Sequence, residues 1–203
     1  ASEPEYQNLI TRIGVEVDYK PDRELEIKSF LGDKPYDFAI GSVHHLGDWP
    51  FDHPDHKDEF VKRSTDEIYQ EYYALVRQVV RSKLFDIVGH IDLIKVWGNK
   101  PCQKHETSFL KPLLSDIKDS GMVVEINSGG LRKPVNEIYP SDVLLKELFA
   151  YDIPITFGSD AHHPNDLGEG LSIAVQKAWE IGYRTMVGFS QRKHMFYPIT
   201  RLG

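Results

Sequence analysis

Ile153-Pro154-Ile155-Thr156-Phe157-Gly158-Ser159-Asp160-Ala161-His162 runs from a short apolar stretch into a polar loop that carries a carboxylate and an imidazole. If the backbone stays extended, side chains two apart point the same way, so Asp160 and His162 converge on one point past a strand end. That pairing suits a divalent metal. Taken alone it is weak, because Asp-x-His is common in solvated loops. The arrangement recurs, however. Tyr36-Asp37-Phe38-Ala39-Ile40 leads to His44, and Phe85-Asp86-Ile87-Val88 leads to Gly89 and His90. Ile13-Gly14-Val15-Glu16-Val17-Asp18 alternates, with Glu16 and Asp18 on the polar parity. Ligand-type residues at successive strand ends, separated by helices, are what a barrel of parallel strands does with its site.

Working outward, strands and helices alternate along the chain. Strands are predicted over 11–18, 36–43, 85–89, 122–127, 153–158 and 184–188, and helices over 22–31, 64–83, 105–119, 141–151 and 168–182. The helix over 64–83 is the best signalled. Ser64 or Thr65 can cap it, Glu67 completes a capping box with Ser64, and Ile68, Tyr72, Leu75, Val76, Val79 and Val80 share a face. Ser141 is expected to cap the helix after Pro140. His105 opens another predicted helix. Short connections between alternating elements imply a parallel sheet with right-handed crossovers. About six strands are expected, fewer than the eight of a full barrel. No repeat, linker or low-complexity tract divides residues 1–203, which read as one domain.

Composition narrows the function. The chain has 203 residues, 40% of them hydrophobic, enough for one sizeable core. A formal charge of -7 argues against a nucleic-acid partner, whose phosphates need a basic surface. The single cysteine, Cys102, leaves no internal disulfide and fits a reducing, cytoplasmic setting. No apolar run nears the roughly 18 residues of a membrane span.

Further residues suggest substrate contact. Arg132 and Lys133 follow Asn127-Ser128-Gly129-Gly130, just past a strand, where a guanidinium can grip phosphate with two hydrogen bonds. A solvated basic pair is the plainer reading, and Asn127 reads equally as a turn residue. His45, beside His44, is placed to donate a proton to a leaving group or simply to bond backbone. Asp92, two after His90, is a candidate proton donor or a support for a ligand. In Gly47-Asp48-Trp49-Pro50-Phe51-Asp52, the carboxylates suit an ammonium and the rings a pocket wall; the alternative is a surface loop with an aromatic plug. His53 and His56 form at most a peripheral site.

These segments resemble the PHP (polymerase and histidinol phosphatase) family, and within it the histidinol-phosphate phosphatase branch. The likeness runs from Gly14-Val15-Glu16-Val17-Asp18-Tyr19 through Gly41-Ser42-Val43-His44 and Gly89-His90-Ile91-Asp92-Leu93-Ile94-Lys95. It continues through Glu125-Ile126-Asn127-Ser128-Gly129-Gly130-Leu131-Arg132-Lys133 to Gly158-Ser159-Asp160-Ala161-His162. The resemblance implies an α/β fold, a distorted (β/α)7 barrel, with up to three divalent metals (zinc, manganese or iron) at the strand ends. Glu16 would bridge two of them, with His44, His90, Asp160 and His162 as further ligands. It implies hydrolysis of a small phosphate ester, L-histidinol phosphate, for which the residues themselves offer Asp92 and His45 as catalytic groups and Arg132, Lys133, Asn127, Asp48 and Trp49 at the substrate. Another PHP-type phosphoesterase, or an inactive PHP-like scaffold, is the alternative.

The family opens with a His-x-His strand, and this chain has no His-x-His. The expectation is therefore a PHP-like domain incomplete at its N-terminus, a fragment of a longer chain. A missing N-terminal segment or a second copy of the chain would then supply the rest of the site.

Overall fold

The computed structural model describes residues 10–32 and 34–201, the side chains of 103–107 excepted, so the expectation for His105 falls outside it. Five strands, β1 (Gly14–Asp18), β2 (Phe38–Ser42), β5 (Ile87–Val88), β6 (Val123–Asn127) and β7 (Ile155–Gly158), form one parallel sheet in that order. β3 (His45–Leu46) and β4 (Trp49–Pro50) make a small antiparallel pair in the loop after β2. Helices α1 (Glu24–Gly32), α2 (Thr65–Ser82), α3 (Gln103–Ser120), α4 (Asp142–Ala150) and α5 (Leu171–Ile181) fill the crossovers. Every strand neighbour in the main sheet is the next such strand along the chain, as right-handed crossovers of one sense require.

The outer face of the sheet carries the main core. On α2, Ile68, Tyr69, Tyr72, Tyr73, Val76, Val79 and Val80 are buried together, each apolar side chain contributing about 1.5–3 kcal/mol. Arg77 Nε and Arg81 Nε lie 2.8 and 2.9 Å from Asp116 Oδ2, tying α2 to α3. The expected capping box at α2 is not made: Ser64 precedes the helix with no side-chain cap bond. Asp66 Oδ1 instead accepts from Cys102 N at 2.8 Å, fastening the start of α2 to that of α3. Ser141 does cap α4, its Oγ accepting from Leu144 N at 3.4 Å.

The inner face divides by height. At the lower end Phe38, Ile40, Ile87 and Val123 meet Val187 and Phe189 in a separate apolar floor. Val187 and Phe189 belong to β8 (Thr185–Ser190), expected as one more parallel strand. The structure pairs β8 antiparallel with β9 (Lys193–Pro198), outside the five-stranded sheet. The hairpin is held by other means. Arg12 Nε donates to Phe189 O at 3.1 Å, and Asp37 Oδ1 accepts from Gln191 N at 2.9 Å. At the upper, C-terminal end the strands present polar side chains instead.

Candidate metal centre

β1 places Glu16 on the inner parity, β2 ends two residues before His44, and β5 ends two before His90. Parallel strands bring these three ends level. His90 Nε2 lies 3.0 Å and His44 Nε2 3.8 Å from Glu16 Oε1. One ligand atom from each of the three falls within 4.8 Å of the others. A carboxylate with two imidazoles, open on one side, suits zinc, manganese or iron.

The electrostatics agree with a cation site. Burial would raise Glu16, but His90, Ser42 and His44 outweigh it and hold the carboxyl down at about 2. Burial would lower His90, yet the hydrogen bond and charge of Glu16 push it up to about 9. A positive charge beside Glu16 is thus favoured. Several buried polar atoms at this end lack hydrogen-bond partners: His90 Nδ1, Asp92 Oδ1, Tyr139 Oη and Arg132 Nη1. Burial, then the charges of Asp92, Asp160 and Asp52, keep the Tyr139 phenol well above its ordinary range.

The other expected site residues fall in different places. Asp160 lies near enough for its charge to act on His90. Its φ of 51° is left-handed, a region that Asp tolerates better than most residues. The backbone is therefore not extended there, yet His162 Nδ1 still lies 3.5 Å from Asp160 Oδ1. His162 stands outward, 84% exposed, with Nδ1 3.0 Å from Asp160 O. Arg132 Nη2 donates to Ser159 O at 2.7 Å and Asp160 O at 2.9 Å, so it borders the site through the Asp160 loop. Lys133 is exposed and Asn127 fully buried.

Asp92 is buried, and its Oδ2 accepts from Ser141 N at 2.8 Å and lies 3.0 Å from Lys95 Nζ. Asp48 is exposed on the turn between β3 and β4. Trp49 packs edge-on to Phe60 at 4.8 Å, and its Nε1 donates to His56 O at 3.0 Å, so the ring acts as a plug within its own loop.

Two site residues stand beyond the expected set. Asp18 serves both neighbouring histidines. Its Oδ1 accepts from His44 N at 3.0 Å and lies 3.3 Å from His44 Nδ1, while Oδ2 lies 2.9 Å from His45 Nδ1. Its signal was the shared parity with Glu16. Glu125 is 7% exposed, in a strand buried at every residue. Burial pushes its carboxyl up, and the nearby His90 opposes that shift. An acid inside Val-Val-Glu-Ile was the available signal.

The model of the PHP domain family matches residues 5–129. The chain belongs to the PHP domain family. A "Probable histidinol-phosphatase" of Deinococcus radiodurans is 38% identical over 185 residues, 91% of this chain and 70% of that protein. The "Histidinol-phosphatase" of Bacillus subtilis is 32% identical over 182 residues, covering 81% of this chain and 68% of the relative. Among solved structures, histidinol phosphate phosphatase of Lactococcus lactis, complexed with zinc, L-histidinol and phosphate, superposes with a TM-score of 0.74. That match is 21% identical and covers 94% of this chain and 74% of the other. The PHP chain therefore has the fold of these phosphatases. Among its described residues, no helix is long and apolar enough to cross a membrane.

Proposed function

We propose that this PHP chain is a metal-dependent phosphomonoesterase that hydrolyses L-histidinol phosphate to histidinol and phosphate, in the cytoplasm. The observation that carries the reading is the Glu16–His44–His90 cluster at the strand C-terminal ends, in a chain whose relatives are named for that activity. Bound divalent ions would lower the pKa of water and neutralise phosphate oxygens as the ester is attacked. Glu16, His44 and His90 would hold them, with Asp160 and His162 as further ligands. For His162 this requires its exposed ring to turn inward.

The remaining chemistry falls to this chain's own groups. Asp18 occupies His45 Nδ1 and leaves Nε2 to hold a proton for the departing alkoxide. Asp92 shares one oxygen between Ser141 N and Lys95. In this account it braces the loop after His90, and its unpartnered Oδ1 remains the second candidate for proton transfer. Arg132 would exchange its carbonyl partners for phosphate oxygens, with Lys133 adding charge. Asn127 would set the loop carrying Arg132. Asp48 and Trp49, on the loop after His45, would meet the ammonium and imidazole end of the substrate.

β1 is hydrogen-bonded on one side only among the described residues, and Glu16, at 36% side-chain exposure, lies on it. We infer that a further strand, from a partner segment or from a second copy of the chain, lies along β1 and adds nitrogen donors. Phosphate release from histidinol phosphate, against a panel of other phosphomonoesters and with zinc, manganese or iron restored, tests the function. Equal turnover across the panel would replace histidinol phosphate with a broader substrate class. No turnover with metal bound would favour a scaffold.

A further inference from the structure

Glu125 lies at the centre of β6, and among the described residues no lysine or arginine forms an ion pair with it. A desolvated carboxylate is costly unless hydrogen bonds satisfy it, so its partners show what it is kept for. Its Oε2 accepts from His90 N and from Asn127 Nδ2, both at 3.0 Å. Asn127 Oδ1 accepts in turn from Gly129 N at 2.8 Å. On the far side of the carboxylate, a Cβ at Gly158 would overlap Oε1, so β7 leaves room for this one side chain.

The His90 peptide lies just past β5, where the sheet ladder has ended, and without Glu125 its N–H would be a buried orphan. His90 O is taken by Leu93 N at 2.8 Å. The residue is thus gripped at both ends while Nε2 faces Glu16. Gly129 opens the single 3-10 turn that ends at Arg132.

We propose that Glu125 is a positioning residue that, through Asn127, fixes the backbone at His90 and at Gly129 together. One buried carboxylate then sets the spacing between a metal-ligating imidazole and the loop that carries the phosphate-binding arginine. This rests on the reading of Glu16, His44 and His90 as metal ligands.

Cobalt(II) is the probe. Its visible bands and affinity are measured for the 203-residue chain and for Glu125→Ala, Glu125→Gln and Asn127→Ala, alongside amide exchange of the metal-free proteins. Glu125→Ala should weaken cobalt binding about 10–100-fold, shift the bands, and unprotect the His90 and Gly129 amides together. Glu125→Gln, whose carbonyl can still accept both N–H groups, should restore the band positions and both amides. Unaltered bands and amides in Glu125→Ala would overturn the proposal, as would Glu125→Gln shifting the bands as far as alanine does. If Glu125→Ala does not fold, Asn127→Ala decides. It should release Gly129 alone and keep the bands, and an unchanged Gly129 amide would break the relay. A wild-type chain without cobalt bands would count against the ligand reading, while the amide arm would still judge the relay.

Discussion

Glu16 and His90 carry opposite charges in the metal-free protein, and each stabilises the fold over a different pH range. His90 is raised from 6.5 to about 9, so its contribution is complete below 6.5 and lost as pH rises through 9. Glu16 is lowered from 4.5 to about 2, so its contribution is present above 4.5 and lost as pH falls through 2. Urea unfolding of metal-stripped wild type and Glu16→Gln should therefore differ most between those two windows, near pH 6, and converge above pH 9. A constant difference would show that the pair is not coupled as described. Arg132→Ala should lower kcat/KM about 100-fold, and Arg132→Lys should recover only part of that, because an ammonium lacks the two-pronged fork. Steady-state kinetics with metal analysis separate this from ligand loss. At this scale the clustering of Glu16, His44 and His90 was legible, since strand parity places the first and strand ends place the other two. The left-handed turn at Asp160 was not, since a single φ leaves no trace in residue order. Glu125 was visible in principle, as an acid in an apolar strand.

The elements were largely legible because their apolar periods are clean, α2 above all. What the pattern could not provide was partnership. Alternation in residues 184–188 announces a strand but not which strand lies beside it, and only Gln191 and Arg192, both at positive φ, turn β8 back on β9. Nor does a Ser-x-x-Glu signature reveal that a neighbouring Asp66 is wanted by another helix. Packing at this scale should be separable from chemistry. Ile117 on α3 is fully buried in the outer core, so Ile117→Ala should cost about 2–5 kcal/mol. Chemical denaturation should register the loss, with metal content and kcat/KM unchanged in the folded fraction.

For the whole molecule, the side of β1 that has no strand partner among the described residues is the governing feature. Three clustered ligands leave room for donors from elsewhere, and two-metal chemistry needs ions held about 3.5–4 Å apart. The 203-residue chain is therefore expected to bind fewer than three metals and to turn over slowly on its own. Metal analysis and sedimentation, before and after adding the additional segment found in a longer relative, would check this. Full occupancy with rapid turnover by the lone monomer would remove the need for a further strand.

The hairpin under the sheet also affects how the chain reaches this state. The bond from Arg12 to Phe189 joins residues 177 apart in sequence, while every proposed ligand lies between residues 16 and 162. A polypeptide emerging N-terminus first thus has Glu16, His44, His90, Asp160 and His162 before the piece that shuts the floor has been synthesised. Contacts this distant form late and slowly. A nascent chain capturing ions through its upper rim would do so while its lower end is still open, so the gathering of these residues and the closing of the floor are separate events in time.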